Sequence, residues 1–310
     1  MERKNHLKAF FVFSGQGAQA VGMGRDLYAE NSAARAIFDA ADRTLGYALS
    51  DICFNGPEEN LTQTRYCQVA IYTTSCAALA AFRTVFPAVE PVACAGLSLG
   101  EYGALYAGQA FSFEAGLRLL AKRAELMDAA CRSTDGGMAS VLGGDAEVIR
   151  EVCQACGIDV ANYNSPGQIV ISGEKSKVTA AVNELKARGM RKVIPLNVAG
   201  AFHSRLMASA GDALKQVLAA SDIRLPEVPV YQNYTAAPAG SVEELKHNLA
   251  CQVAGSVRWE ESVRRMIAAG GDTMIEFGPG TVLTGLLRRT DGNVGYFNVN
   301  SMETLQSITL

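Results

Sequence analysis

Apolar and polar positions along the chain follow two periods, one typical of buried strands and one typical of helices. Short apolar runs at Lys8–Phe13 and Pro91–Ala95 predict strands, whereas apolar residues spaced three and four apart predict helices. The two patterns alternate throughout, which predicts an α/β fold. The longer helices are predicted at Ser32–Leu45, Val69–Phe86, Phe113 to about Cys131, Arg205–Leu218, Val242–Val253 and Trp259–Ala269. Further strands are predicted at Pro229–Tyr231 and Met274–Phe277, with a final helix after Gly278-Pro279-Gly280.

The alternation is denser between Gly136 and Leu196. The predicted elements are strand Met138–Leu142, helix Ala146–Cys156 capped by Asp145, strand Ile158–Tyr163, turn Asn164–Gly167, strand Gln168–Ser172, helix Lys175–Arg188 and strand Lys192–Leu196. The order β-α-β-β-α-β is that of a ferredoxin-like unit. We therefore predict a ferredoxin-like subdomain at 135–202, inserted into a core formed by 1–134 and 203–310.

The composition is that of an ordinary globular protein and argues against several classes of partner. Of 310 residues, 49% are hydrophobic and 19% are charged, and the net charge is −3, so we expect no nucleic-acid binding. The apolar run after the charged N-terminal residues is too short for a signal peptide or a membrane span. Eight scattered cysteines are typical of reduced thiols and predict a cytoplasmic protein. The lone pair Cys153 and Cys156 favours neither a metal nor a redox site.

The segment Gly96-Leu97-Ser98-Leu99-Gly100 places a serine between two glycines where a strand pattern gives way to a helix pattern. A serine on such a turn has a strained backbone and needs small neighbours, which is the requirement of the G-x-S-x-G nucleophile elbow. A glycine-rich turn with an ordinary capping serine fits these five residues equally well. Ser98 is therefore a candidate nucleophile that depends on partners elsewhere in the chain.

A serine nucleophile needs a base, and the chain has only three histidines. His6 stands in a polar N-terminal segment, and His247 stands in a charged helix pattern. His203 follows an unusual concentration of small residues between a predicted strand and a predicted helix. His203 is therefore the candidate base, the alternative being a histidine that only packs or caps.

Arg123 falls in the middle of the apolar face of the helix predicted from Phe113. A guanidinium does not lose its proton and is costly to bury unpaired, so it should meet a carboxylate. That carboxylate could belong to the protein or to a ligand.

In the loop after the first strand, the N–H of Gln16 could face a developing oxyanion, and in a nucleophile elbow the second donor is the N–H after the serine, here that of Leu99.

These residues stand in longer stretches that occur in the order FVFSGQGAQ, GLSLGEY, KRAELM, NYNSPGQIVISG, GAFHSRLM, QVAGSVRW and EFGPGTVLTGL. With them, the sequence resembles the malonyl-CoA:acyl carrier protein transacylases of fatty acid synthesis, from Phe10 to near the C-terminal end. The resemblance implies an α/β-hydrolase-like core with a parallel sheet and an inserted ferredoxin-like subdomain. That architecture agrees with the order of the predicted elements.

The resemblance also implies a role for each matching residue. Ser98 matches the acyl-accepting serine, His203 its base and Arg123 the arginine that binds the malonyl carboxylate. The remaining matches are the oxyanion-hole amides of Gln16 and Leu99, Gln252 as the residue that orients the histidine, Phe202 as a residue that accompanies malonyl preference, Asn162 and Asn164 near the acyl pocket, and Gln68 in its usual place. Two departures are Leu97, where the family usually has histidine, and Cys67-Gln68-Val69 in place of Thr-Gln-Pro.

The activity that the resemblance implies is a ping-pong transfer of malonyl from malonyl-CoA to the phosphopantetheine thiol of acyl carrier protein. It requires no metal and no cofactor other than the CoA thioester that is the substrate. Three alternatives remain open. They are a discrete acyltransferase that serves a polyketide synthase, a serine thioesterase or esterase (with Asp135 in a Ser–Asp dyad as one variant), and a non-catalytic module that docks the carrier protein.

Overall fold

Two separate sheets organise residues 7–310, the part of the chain that the computed structural model describes; His6 lies outside the described residues. The strands are β1 (Ala9–Phe13), β2 (Ala93–Gly96), β3 (Gly136–Leu142), β4 (Asp159–Ser165), β5 (Gln168–Glu174), β6 (Lys192–Leu196), β7 (Val230–Tyr231), β8 (Thr273–Phe277) and β9 (Gly295–Val299). The helices are α1 (Arg25–Glu30), α2 (Ser32–Leu45), α3 (Leu49–Asn55), α4 (Glu58–Leu61), α5 (Thr64–Val85), α6 (Gly100–Ala107), α7 (Phe113–Arg132), α8 (Ala146–Cys156), α9 (Lys175–Ala187), α10 (Ala208–Ala219), α11 (Val242–Gln252), α12 (Trp259–Ala268), α13 (Val282–Thr290) and α14 (Met302–Gln306).

The first sheet is parallel and has the strand order β7-β2-β1-β8-β9. Its central strand, β1, is buried along its whole length because helices cover both faces. Phe11 and Phe13 join the core that includes α5 and α7, whereas Phe10 and Val12 join the opposite core with α12 and α13. This double covering explains why β1 reads as a continuous apolar run rather than as an alternating pattern.

The second sheet is antiparallel, with the order β4-β5-β3-β6 that a ferredoxin-like unit requires. It packs on α8 and α9 through a core of its own. The predicted fold class, an α/β-hydrolase-like core that carries a ferredoxin-like subdomain, is confirmed. The exact division at 135 and 202 stays a prediction.

Two of the predicted boundaries near the site are wrong. Strand β4 runs through Asn164 to Ser165, so the turn is shorter than predicted. The reason is that β4 pairs irregularly with β5 while Ala161 and Tyr163 also form backbone hydrogen bonds with Val257. Helix α5 begins at Thr64 rather than Val69, because polar residues of its first turns are buried and do not follow the apolar period.

The structure also contains elements that the hydrophobic pattern did not predict. The helix after the Gly278–Gly280 turn is not the last element, since β9 and α14 follow it. Strand β9 is only partly buried and therefore lacks a long apolar run. The predicted helix Arg205–Leu218 is a 3-10 turn at Arg205–Met207 followed by α10. Among residues 7–310, no helix combines the length and the apolarity that a membrane span needs.

The carboxyl ends of β1, β2 and β7 meet at one edge of the parallel sheet, and the turn between β2 and α6 lies against the end of β1. A Cβ at Gly100 would lie 2.2 Å from the carbonyl oxygen of Phe13, and a Cβ at Gly96 would lie 2.0 Å from the carbonyl carbon of Gly100. Real Cβ atoms do not approach backbone so closely. Both glycines are therefore required for this turn to form.

We expect Gly100→Ala to lower the free energy of unfolding by about 1–3 kcal/mol, because the added methyl group meets backbone that cannot rotate away. Gly285 in α13 is the matched control, since a Cβ there would meet nothing within 4 Å. Gly285→Ala should leave stability unchanged or raise it by up to about 1 kcal/mol. Chemical denaturation of both variants makes the comparison, and equal effects would contradict the steric argument.

Candidate active site

Ser98 lies in the turn between β2 and α6 with a φ of 54°, in the left-handed region that a serine rarely adopts. Its N–H donates to Asn233 Oδ1 at 2.6 Å, and Asn233 Nδ2 donates to the carbonyl of Gly96 at 2.7 Å. Asn233 therefore bridges the strand and the strained residue. Such strain persists only where the surroundings hold it, and it is concentrated at functional sites.

His203 also has a positive φ, 56°, and its ring connects Ser98 to α11. Nε2 lies 2.8 Å from Ser98 Oγ, and Nδ1 lies 2.8 Å from the main-chain carbonyl oxygen of Gln252. Because a carbonyl only accepts, Nδ1 must carry the proton, which leaves the lone pair of Nε2 directed at the serine hydroxyl. His247 is exposed on α11 and takes no part in this arrangement.

The environment of His203 keeps its imidazole neutral. Burial is the main cause, and the positive charge of Arg123 is the second; together they lower the pKa of His203 to about 4. The hydrogen bond to the Gln252 carbonyl opposes this shift without cancelling it. Near neutral pH the ring is therefore unprotonated and able to accept the proton of Ser98.

Arg123 is 1% exposed on α7, and its guanidinium reaches the serine. Nη1 donates to Gln68 Oε1 at 2.6 Å, whereas Nη2 donates to Ser98 Oγ at 3.0 Å and to Gln252 Oε1 at 2.9 Å. Its charge also lies 5.9 Å from the ring centroid of Tyr102. Burial lowers the pKa of Arg123, but a guanidinium remains charged in proteins. Within residues 7–310, no carboxylate lies within 4 Å of it.

Gln252, which the resemblance gives as the residue that orients the histidine, also contacts Arg123 and Ser98. Its main-chain carbonyl holds His203, whereas its side chain accepts from Arg123 and donates to the carbonyl of Ser98 at 3.0 Å. The side-chain nitrogen also donates to Glu101 Oε2 at 2.8 Å. One residue at the end of α11 therefore contacts the nucleophile, the base and the arginine.

Glu101, Gln232 and Asn233 were missed by sequence reasoning. Glu101 is completely buried on the first turn of α6 and accepts from the backbone N–H of Asn233 at 2.8 Å and from Gln232 Nε2 at 3.1 Å. Burial raises its pKa, although these donors and Arg123 lower it. A signal was present, since Gln232 and Asn233 follow directly after a buried strand, where ligand and catalytic groups of parallel sheets collect.

The N–H groups of Gln16 and Leu99 donate to no protein acceptor among residues 7–310. The loop that carries Gln16 lies against the serine turn, because a Cβ at Gly15 would be 2.7 Å from the carbonyl oxygen of Leu97. Two unused backbone donors in adjacent loops beside Ser98 are compatible with an oxyanion hole. That role stays a prediction for both residues.

The remaining predicted site residues differ in their surroundings. Phe202 is buried in the main core directly before His203. His203 and Arg205 both line a cleft at the surface. Asn162 and Asn164 are buried in β4, and no hydrogen bond links them to Ser98, His203 or Arg123 in the described part of the chain. The side-chain oxygen of Asn164 has no hydrogen-bond partner there. Their roles stay predictions.

Comparison with known proteins gives one consistent family. Residues 10–306 match the model of the acyl transferase domain family. The chain is 41% identical over 304 residues to a Malonyl CoA-acyl carrier protein transacylase of Bacillus subtilis. The alignment covers 96% of this chain and 95% of the relative.

Solved structures give the same result. A crystal structure of acyl-carrier-protein-S-malonyltransferase from Bartonella henselae superposes with a TM-score of 0.93 at 37% identity, covering 97% of this chain and 98% of that one. A malonyl-transacylase in complex with a type II PKS acyl-carrier protein superposes with a TM-score of 0.92 at 35% identity, covering 97% and 98%. The chain therefore belongs to the acyl transferase domain family.

Proposed function

We propose that this protein transfers malonyl from malonyl-CoA to the phosphopantetheine thiol of an acyl carrier protein, through a malonyl ester of Ser98, and so supplies fatty acid synthesis. One observation carries the choice of acyl group. A buried, permanently charged guanidinium lies 3.0 Å from the candidate nucleophile, and its hydrogen-bond partners in the described part of the chain are neutral. An acyl group with a terminal carboxylate would complete this site with a charge-assisted, bidentate contact.

The first half-reaction uses the Ser98–His203 pair. Nε2 of His203 takes the hydroxyl proton as Oγ attacks the thioester carbonyl, and the nearby Arg123 charge favours the developing alkoxide. The N–H groups of Gln16 and Leu99 would donate to the oxyanion of the tetrahedral intermediate. The C–S bond then breaks, His203 returns the proton to the CoA sulfur, and malonyl remains on Ser98 as an ester.

The second half-reaction is the reverse with a different thiol. The carrier thiol approaches the ester beside His203, gives its proton to Nε2 and attacks the ester carbonyl carbon. The ester bond to Oγ breaks, and the proton returns to Ser98. A thiol is a better leaving group than an amine, so the neutral Gln252 carbonyl suffices to hold the histidine, and no aspartate is needed.

Several features decide between this function and its alternatives. The relative in complex with a type II PKS acyl-carrier protein keeps a polyketide carrier as the second candidate acceptor, and parallel assays with both kinds of carrier separate the two. A thioesterase would release free malonate instead.

All eight cysteines are free thiols, which supports the predicted cytoplasmic location. The proposed chemistry uses no metal or resident cofactor.

Ser98→Ala should fold normally and form no covalent malonyl adduct, because the turn accepts a smaller side chain but loses the nucleophile. Intact mass after incubation with malonyl-CoA, followed by peptide mapping, makes the measurement. The exposed Ser176 on α9 offers a control, and Ser176→Ala should be labelled as the wild type is. Stoichiometric labelling of Ser98→Ala would place the nucleophile elsewhere.

Arg123→Ala should lower kcat/KM for malonyl-CoA by about 30-fold to several thousand-fold, which corresponds to about 2–5 kcal/mol for a truncated, desolvated charge pair. Acetyl-CoA has no carboxylate and should lose much less. Arg118 lies exposed on the same helix, and Arg118→Ala should change neither rate. If Arg123→Ala preserved the malonyl-to-acetyl ratio, the carboxylate contact would be ruled out.

The acid limb of kcat/KM should lie nearer pH 4 than the ordinary histidine value of 6.5, since His203 acts only when unprotonated and its pKa is lowered to about 4. Acetyl-CoA is the substrate for this test because it leaves the Arg123 charge unpaired. Arg123→Ala removes a charge that disfavours the imidazolium, so its acid limb should move to higher pH. An acid limb near 6.5 in the wild type, with the fold intact by circular dichroism, would contradict this assignment.

A further inference from the structure

Glu101 is a buried carboxylate that the proposed reaction does not use. Its oxygens accept from the Asn233 N–H, from Gln232 Nε2 and from Gln252 Nε2. Gln232 is fixed in turn by Asn248, whose Nδ2 donates to Gln232 Oε1 at 2.9 Å. The carboxylate has no hydrogen bond to Ser98, His203 or Arg123 in the described part of the chain, so it cannot take part in the chemistry directly.

Glu101 and Arg123 are two buried charges of opposite sign that share one intermediary. Gln252 accepts from Arg123 Nη2 through Oε1 and donates to Glu101 Oε2 through Nε2, so its amide dipole is aligned between the two charges. Burial raises the pKa of Glu101, and the hydrogen bonds from Asn233, Gln252 and Gln232, together with the charge of Arg123, oppose that rise. Either charge alone in this interior would be strongly unfavourable, and removing one partner of such a pair leaves the other uncompensated.

We propose that Glu101 is the fixed counter-charge of Arg123 and a positioning residue for Gln252, placed one amide away so that the guanidinium keeps its charge without an internal ion pair. This inference rests on the proposed function, in which Arg123 receives the acyl carboxylate. A carboxylate in direct contact would form an internal ion pair that the acyl carboxylate would have to break. Held at this distance, Glu101 compensates the charge while Nη1 and Nη2 of Arg123 donate to the neutral acceptors Gln68, Ser98 and Gln252, which an acyl carboxylate can replace more easily than a charged one.

Glu101→Gln tests the charge while keeping an oxygen for the Asn233 N–H and Gln252. The variant should unfold at a lower temperature than the wild type, and malonyl-CoA should raise its unfolding temperature more than it raises that of the wild type. The reason is that the malonyl carboxylate replaces the lost counter-charge, whereas acetyl-CoA cannot. For the same reason the ratio of malonyl to acetyl kcat/KM should rise about fivefold or more, even as both rates fall.

Glu276, in strand β8 of the parallel sheet, provides a matched control. It is buried in β8, its pKa is raised by burial, and it accepts from the backbone N–H groups of Leu283 and Thr284, but within residues 7–310 no hydrogen bond joins its carboxylate to a site residue. Glu276→Gln should lower the unfolding temperature without changing the malonyl-to-acetyl ratio or the malonyl-specific stabilisation. Glu101→Asp keeps the negative charge and should keep the ratio near its wild-type value.

The double variant Glu101→Gln with Arg123→Ala keeps the test decisive if the single variant does not fold. Removing both charges should give a more stable protein than removing Glu101 alone. The proposal is overturned if Glu101→Gln behaves as Glu276→Gln does, or if the double variant is the less stable one. A failure of the proposed function is distinguishable from both, because the wild type would then take no malonyl label on Ser98.

Discussion

A guanidinium that keeps its proton lies inside an apolar layer of helices. The surrounding polar residues accept its hydrogen bonds and so reduce the cost of burying its charge. Gln68 and Gln252 accept from Arg123, and the ring of Tyr102 lies beside its charge. Within the described residues 7–310, its hydrogen-bond partners are all neutral: Gln68, Gln252 and Ser98. The site therefore carries a fixed positive charge that is satisfied well enough for the protein to fold and remains available to an anionic group beside Ser98.

The same charge adds to the effect of burial on the base. Burial and Arg123 together keep His203 neutral, so the residue needs no carboxylate partner and is held instead by the main-chain carbonyl of Gln252. Ser98 and His203 both adopt left-handed backbone conformations, which the surrounding hydrogen bonds hold in place. Gln252 contacts all three functional groups, so small movements at the end of α11 would disturb nucleophile, base and arginine together.

Sequence reasoning identified the three central residues because each carries a local signal. Ser98 stands between two glycines at which a Cβ would meet neighbouring backbone, His203 is the histidine set among small residues, and Arg123 interrupts an apolar helical face. The ferredoxin-like subdomain was also predictable, because its strands and helices are short, regular and amphipathic.

The supporting residues could not be found in the same way. Asn233 reaches Ser98 only because β7 pairs with β2, and this strand order is a property of the sheet rather than of any local pattern. Glu101 stands in the first turn of a helix, where an acidic residue is favourable in any helix and therefore gives no signal of its own. Its burial and its partners depend on the packing of α6 against β7 and α11, which no periodicity encodes.

The central claim is that one site holds a single acyl group on Ser98 while two thiols enter in turn. Isotope exchange tests this claim most directly. Unlabelled malonyl-CoA and isotopically labelled free CoA are incubated with the enzyme in the absence of any carrier protein. A covalent intermediate predicts that label passes from CoA into malonyl-CoA at a rate comparable to the transfer reaction. Absence of exchange, with full transfer activity once carrier is added, would contradict the account.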